Sequence, residues 1–129
     1  MVLTIIRGLP GSGKSTKAAA LGCFHVESDM YCIHNGIYKW AEDTVLGSLD
    51  FRYKMVDNAM KFGCDIVVTG TFPTISELSV FVDLGKSYGY TVNVCKCVGS
   101  YVSLHKPPLN FIKKLNDIWE NFSGEIILN

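Results

Sequence analysis

The stretch GLPGSGKS, residues 8–15, constrains the fold more than any other part of the sequence. It fits the pattern G-x-x-x-x-G-K-[ST], and it lies between the apolar run MVLTII and the helix-forming run TKAAALG. Glycine at positions 8, 11 and 13 lets the backbone turn its N–H groups inward around an anion, because a Cβ would block close approach or the required φ values. The pattern therefore predicts a phosphate-binding loop between a buried strand and a helix.

The end of this loop carries the groups that a bound nucleotide needs. Lys14 falls in the first helical turn, where the helix dipole favours an anion, and its ammonium can reach β- and γ-phosphates. The Ser15 hydroxyl is a predicted Mg²⁺ ligand, and Thr16 can reach the α-phosphate. The alternative is a glycine-rich turn with an accidental lysine. We predict ATP and Mg²⁺ as ligands, with these ATP-binding residues: Gly8, Leu9, Pro10, Gly11, Ser12, Gly13, Lys14, Ser15 and Thr16.

Length and composition limit the other function classes. A chain of 129 residues, 48% hydrophobic and 19% charged, is predicted to form one ordered domain over residues 1–129. Twelve basic residues balance twelve acidic residues, which argues against a long basic surface for duplex nucleic acid and leaves a single-stranded end or a nucleoside as the nucleic-acid partner. No apolar run approaches the ~20 residues of a membrane span, so we expect no membrane partner and a cytoplasmic location.

Cysteine usage predicts no disulfide framework and no zinc site. The five cysteines are an odd number and lack C-x-x-C spacing. Cys95 and Cys97 share one face of a predicted strand, and we interpret them as small buried apolar residues.

Apolar runs alternate with helical stretches along the chain. Strands are predicted at VLTIIR, FHVES, DIVVTGTF, YTVNVCKC and EIILN, and helices after the loop and near residues 42–62, 75–88 and 108–121. This alternation predicts an α/β fold, a three-layer α/β/α sandwich with a mostly parallel sheet. The strand at 65–69 is apolar almost without a break, which places it at the centre of the sheet, and Gly63 before it is a predicted helix C-cap.

Ligands of such sheets bind beyond the carboxyl ends of the strands. Asp29, after the second strand, can accept the proton of an attacking hydroxyl and contact the metal through water; it can equally cap a short helix. Thr69, Gly70 and Thr71 form the tip of the apolar strand near the phosphates, where no carboxylate follows; the threonines can equally cap the strand end. Metal binding would then rest on Ser15, phosphate oxygens and water.

Several segments together resemble a known family. IIRGLPGSGKST, VESDMY, VVTGTF, SLHKPP and LNFIKKLNDIWENF are similar to the small P-loop kinases related to the phage polynucleotide 5′-kinase domain and to zeta toxins, over almost the whole chain. The resemblance implies a nucleoside-kinase-like P-loop NTPase fold with ATP and Mg²⁺ bound by Lys14, Ser15 and Thr16. It also implies Asp29 as catalytic base beside Lys14, a lid-like segment at about residues 101–121 and, for a phage-encoded chain, the host cytoplasm. The lid candidates are His105, Lys106, Lys113 and Lys114.

The resemblance implies transfer of the γ-phosphoryl group of ATP to a hydroxyl, either the 5′-hydroxyl of a polynucleotide or a nucleoside-like acceptor. The chain departs from the family in the lid helix, because FIKKLNDIWENF contains no arginine for the transferring phosphate. Lys113 or Lys114 can substitute, or can be an ordinary solvated face. Two alternatives stay open: a non-catalytic ATP-binding or regulatory module, and a small-metabolite (sugar-nucleotide) kinase. The sequence leaves the oligomeric state open.

Overall fold

A five-stranded parallel sheet with helices on both faces organises the chain. The structure is a computed structural model that describes residues 1–27, 33–34, 37–38, 42–99 and 109–128. In chain order the elements are β1 Val2–Arg7, α1 Lys14–Leu21, β2 Phe24–Glu27, β3 Ile33–His34, β4 Ile37–Tyr38, α2 Glu42–Phe62, β5 Ile66–Gly70, α3 Ile75–Ser87, β6 Thr91–Cys97, α4 Leu109–Ile118 and β7 Ile126–Leu128.

The strand order in the large sheet is β2-β5-β1-β6-β7, and every neighbouring pair is parallel. The five predicted strands and four predicted helices are all present, so the α/β prediction is confirmed. The prediction that the strand at 65–69 is central was wrong, because β1 is the middle strand and β5 lies next to it. All five residues of β5 are buried. An apolar run is typical of any interior strand that helices cover on both faces, so it does not show which interior strand lies in the middle of the sheet.

Two core clusters fill the spaces between the sheet and the helices on its two faces. On one face α1 contributes Ala18 to a cluster whose other buried members are Ile6, Val67, Cys95 and Cys97. The opposite face packs against α2 and α3, and its buried residues include Leu3, Ile5, Val26, Val56, Met60, Ile66, Val68, Leu78 and Phe81. Alternate residues of each strand point to opposite faces, so one sheet serves both cores. The predicted three-layer arrangement is confirmed.

The end of α2 agrees with the predicted cap. Gly63 follows the helix with φ 89°, and its N–H donates to the Ala59 carbonyl at 3.0 Å. A left-handed residue at this position is a common helix stop, and glycine adopts it without a Cβ penalty. A feature that the sequence analysis did not predict is the short antiparallel hairpin formed by β3 and β4.

A buried arginine at the end of β1 joins three parts of the chain. Arg7 is 0% exposed, and its Nε donates to the Phe72 carbonyl at 3.0 Å while Nη2 donates to the Pro73 carbonyl at 3.2 Å. Its Nη1 pairs with Glu125 Oε2 at 3.1 Å, and the guanidinium lies 4.2 Å from the ring centre of Trp119. Arg7 therefore fixes the turn after β5 and the C-terminal segment to the strand that enters the glycine-rich loop.

Within the described part of the chain, no helix combines the length and the apolar character that crossing a bilayer requires.

Candidate functional site

The glycine-rich loop connects β1 to α1 at the carboxyl edge of the sheet. Gly11 and Gly13 have φ of 80° and 95°, a backbone region that side chains disfavour. Gly8 is buried, and a Cβ there would overlap Ser12 Oγ and approach the Cys97 carbonyl oxygen to 2.8 Å. Glycine is thus required at these positions by conformation in two cases and by space in the third.

The loop ends as the N-terminus of α1. Gly13 is the N-cap, and its carbonyl accepts from the Lys17 N–H at 3.1 Å. The first N–H groups of a helix have no intrahelical acceptor and carry partial positive charge, and Gly13 has no side chain to accept from them. Ser15 and Thr16 are exposed on this first turn, while Ser12, within the loop, is buried. This arrangement offers backbone donors to an anion.

Lys14 places its positive charge against the loop. Its Nζ donates to the carbonyl oxygens of Gly8 and Leu9, both at 2.9 Å, and the side chain is half-buried. These bonds hold the ammonium beside the loop that the sequence pattern assigns to phosphate. A contact between Lys14 and the phosphates stays a prediction.

A carboxylate from β2 reaches the same place. Glu27, the last residue of β2, accepts from Ser15 Oγ at 2.9 Å and from Thr69 Oγ1 at 3.0 Å, both through Oε2. Glu27 and Thr69 are paired in register across β2 and β5, so sheet formation alone brings them side by side. The Glu27 side chain is 22% exposed, which leaves the carboxylate accessible to a ligand. A carboxylate therefore stands beside Ser15 although none ends β5.

Ser15 and Glu27 can supply part of the oxygen ligands that a magnesium ion needs. Mg²⁺ prefers oxygen ligands, and in nucleotide sites it takes one or two protein ligands together with phosphate oxygens and water. Ser15 Oγ and Glu27 Oε2 supply two such oxygens. Among the described residues no group of three or more His, Cys, Asp or Glu side chains could hold a metal by itself. The donor set thus fits an ion that arrives with a phosphate ligand.

The tip of β5 is tightly packed. Arg52, from α2, is 4% exposed, and its Nη1 donates to the Thr69 carbonyl at 3.4 Å. Its guanidinium lies 4.2 Å from the ring centre of Phe72, whose φ of 44° is unusual for a residue with a Cβ. A Cβ on Gly70 would overlap Arg52 Nη1, so glycine is needed here for the arginine to approach the strand end. Thr71 is half-buried beside it.

Five predicted site residues remain: Asp29, His105, Lys106, Lys113 and Lys114. Asp29, His105 and Lys106 lie outside the described residues, and their roles stay predictions. Lys113 and Lys114 are exposed on α4. Exposure is what the solvated-face interpretation of the two lysines requires, and a lid role for either one also stays a prediction.

Two polar residues of β2 were not predicted from the sequence. His25 and Glu27 lie on the same face of this strand. The Nε2 atom of His25 lies 3.0 Å from Thr69 Oγ1 and 3.6 Å from Glu27 Oε2. Two polar residues at a spacing of two in a short strand were the available signal. Asp29, two residues farther on, was predicted instead. The buried Arg7 and Arg52 were also missed, because nothing local in the sequence marks an arginine as buried.

Two thiols lie under the loop on the α1 face. Burial raises the pKa of Cys97, although Lys14 and Lys17 act in the opposite direction. Burial also raises the pKa of Cys95, with a further contribution from Cys97. Both thiols therefore keep their protons at neutral pH and behave as apolar residues, which confirms the prediction for this pair.

A parallel sheet whose first strand runs into a glycine-rich loop completed by Lys14 and Ser15 is the P-loop NTPase fold. Several solved structures share this fold. Kti12 from Chaetomium thermophilum, solved with ADP-AlF3, matches with a TM-score of 0.66 at 15% identity, over 98% of this chain and 88% of that one. A gluconokinase from Sinorhizobium meliloti 1021 matches with a TM-score of 0.60 at 15% identity, over 98% and 81%.

A chain in the structure of the Pnkp1/Rnl/Hen1 complex matches with a TM-score of 0.60 at 19% identity, over 87% of this chain. This chain spans only 38% of that protein, and 58% of a matching structure from Chloroflexus aurantiacus. Neither the known protein-family profiles nor the curated proteins give a match. At these identities the comparisons establish the fold alone.

Proposed function

We propose that this chain binds ATP with Mg²⁺ and transfers the γ-phosphoryl group to a hydroxyl. The observation that carries the proposal is the contact between Ser15 and Glu27 at 2.9 Å, directly after the loop that holds Lys14. A loop that bound only an anion would be weakened by a carboxylate at this place, because like charges repel. A divalent cation between the carboxylate and the phosphates makes the same arrangement favourable.

Each group then has a defined task. The backbone N–H groups of the loop hold the phosphate oxygens, and Lys14 adds positive charge to them. Ser15 and Glu27 would hold Mg²⁺, Ser15 directly and Glu27 directly or through a water. The ion, when bound, would offset charge on the β- and γ-phosphate oxygens.

Transfer needs a base on the acceptor side. Asp29, which follows Glu27 by two residues in the sequence, would accept the proton of the acceptor hydroxyl. The hydroxyl oxygen forms a bond to the γ-phosphorus while the bond from that phosphorus to the β,γ-bridging oxygen breaks, and ADP leaves with the electron pair.

The acceptor we propose is the 5′-hydroxyl of a polynucleotide or a nucleoside-like molecule. The motif resemblance supports this acceptor. The balanced charge, with 12 basic and 12 acidic residues, favours an acceptor with a small footprint. The similarity to a gluconokinase supports the alternative of a small-metabolite acceptor.

The test is transfer of labelled γ-phosphate to a panel of acceptors: a 5′-hydroxyl oligonucleotide, nucleosides, sugars and sugar nucleotides. Lys14→Ala and Asp29→Asn should abolish labelling, and Asp29→Asn should leave ATP binding intact. Lys54→Ala is the matched control, because Lys54 is an exposed lysine paired with Asp50 on α2. Labelling of the sugars but not the oligonucleotide would contradict the polynucleotide acceptor and support the metabolite.

The absence of an arginine from residues 109–118 favours a second candidate, a non-catalytic ATP-binding module. The ammonium of a lysine is a compact charge, whereas the planar guanidinium of an arginine can contact two phosphate oxygens at once and stabilises the transferring phosphate better. Binding of ATP without labelling of any acceptor would support this candidate. If labelling occurs, a large loss of rate in Lys113→Ala or Lys114→Ala would assign the missing charge to that lysine.

A further inference from the structure

The carboxylate of Glu27 belongs to a four-residue hydrogen-bonded chain. His25 Nε2 contacts Thr69 Oγ1 at 3.0 Å, Thr69 Oγ1 contacts Glu27 Oε2 at 3.0 Å, and Ser15 Oγ contacts the same oxygen at 2.9 Å. Thr69 is 1% exposed, so its hydroxyl has little access to water and depends on these partners. The chain runs from one side of β2, across β5, to the first turn of α1.

The chemistry of the groups fixes the direction of each bond. An ionised carboxylate only accepts, so the single proton of the Thr69 hydroxyl goes to Glu27. The His25 contact must then use a lone pair of Thr69 Oγ1, which requires a proton on His25 Nε2. His25 therefore donates to Thr69, and Thr69 donates to Glu27.

We propose that His25 and Thr69 are positioning residues that hold the Glu27 carboxylate for Mg²⁺ beside Ser15. The inference rests on the proposed function and adds to it two residues of the metal site. Ser15 Oγ has two lone pairs and one proton, so it can turn a lone pair to the ion while its proton stays on Glu27. The bond from Thr69 holds the same carboxylate oxygen and restricts its orientation further.

Such support has a known effect in metal sites. Partners that hydrogen-bond to a metal ligand fix its orientation, and their loss weakens metal binding by about 10- to 100-fold. The register pairing of Glu27 with Thr69 means that the backbone already sets their separation. The hydroxyl and the imidazole add the orientation of the carboxylate.

The test is the dissociation constant of Mg²⁺ for the protein with ATP bound, measured by titration with a fluorescent ATP analogue or by calorimetry. Thr69→Val removes the donor at nearly constant volume and should weaken Mg²⁺ binding about 10-fold or more. Thr69→Ser keeps the hydroxyl and should restore it. His25→Phe should weaken binding, and His25→Gln, whose amide can replace the Nε2 donor, should recover part of it. Thr91→Val, at the exposed start of β6, is the control.

A second set of readouts separates positioning from stability. Affinity for ATP in EDTA and the free energy of unfolding should change much less in Thr69→Val than the Mg²⁺ affinity does. An equal loss of metal-free ATP affinity would show a merely structural role and overturn the inference. Unchanged Mg²⁺ affinity in both Thr69→Val and His25→Phe would overturn it as well.

The proposed function and this inference fail in different ways. Unaltered protein that binds ATP without any dependence on Mg²⁺ would overturn both. Mg²⁺-dependent binding that is indifferent to Thr69 and His25 would overturn the inference alone. The tautomer of His25 gives a check without nucleotide: NMR of ¹⁵N-histidine should show a proton on Nε2, and a neutral ring protonated only on Nδ1 would contradict the bond directions.

Discussion

Replacing Arg7 by methionine should destabilise the fold strongly, although Arg7 is not proposed to touch the nucleotide. The guanidinium is fully buried and donates to the carbonyl oxygens of Phe72 and Pro73. It also pairs at 3.1 Å with Glu125, whose side chain is 8% exposed. Methionine keeps much of the apolar length of the side chain but none of its five donors.

The expected loss follows from what is left behind. Removing one partner of a buried ion pair costs about 3–5 kcal/mol, because the remaining charge stays desolvated without compensation. The two carbonyls also lose charged donors, which are worth about 1.5–3 kcal/mol each in isolation. These terms overlap, and water can reach part of the site, so we expect a total of about 3–5 kcal/mol. That is a large share of the ~5–15 kcal/mol that stabilises a typical domain.

Equilibrium urea denaturation, followed by circular dichroism, measures this loss as a lower midpoint at an unchanged m-value. Lys54→Met is the control, because Lys54 and Asp50 form an exposed pair at 2.9 Å, for which we expect about 0–1 kcal/mol. The double variant Arg7→Met/Glu125→Gln should lose less than the sum of the single variants. A loss below about 1 kcal/mol in Arg7→Met would refute the argument from burial.

Three further predictions concern the loop and titratable groups. Gly8→Ala should abolish ATP binding in a titration, because the new Cβ would overlap Ser12 Oγ in the loop. The control Gly63→Ala has open space around its Cβ at φ 89°, so it should cost about 1–2 kcal/mol of stability and retain ATP binding. Equal losses of ATP affinity in the two variants would contradict this prediction. The hydrogen bond from Tyr88 lowers the pKa of Asp57. The ionised Asp57 carboxylate therefore stabilises the fold fully above its pKa in the unfolded chain, and this stabilisation is lost as pH falls through the pKa in the folded protein. Tyr88→Phe should raise the pKa of Asp57 in an NMR titration, and no change would argue against the bond. Burial raises the pKa of Cys95, so the free energy of unfolding should fall as pH rises above about 8.5, where the thiol of the unfolded chain ionises. Cys95→Ala should make this fall less steep in urea denaturation at pH 7–10. An unchanged dependence on pH would assign the effect to another group.

Most of the fold could be predicted because its signals are local. The glycine spacing at 8, 11 and 13 predicts a loop. The apolar runs and helical stretches predict strands and helices whose bounds agree with the structure within a few residues. The position of β5 could not be predicted in the same way, since an apolar run shows burial and carries no information about neighbours. The small β3–β4 hairpin has two residues per strand, too few for a period to be visible.

The candidate site divides along the same line. The loop residues and Lys14 follow from a contiguous motif, whereas Glu27 reaches Ser15 only because β2 pairs with β5 in one register. A shift of one residue would turn Glu27 to the other face of the sheet. The sequence predicted a role for Asp29 after this strand and none for Glu27.

The sequence by itself determined the phosphate-binding loop, the order of strands and helices and the parallel sheet, because conformational preference and hydrophobic period act between residues close in the chain. Tertiary structure decided which distant polar groups meet. His25, Glu27 and Thr69 come together with Ser15 through strand pairing, and Arg7 meets Glu125 across 118 positions. Such contacts depend on burial and register, which exist only once the whole sheet has formed.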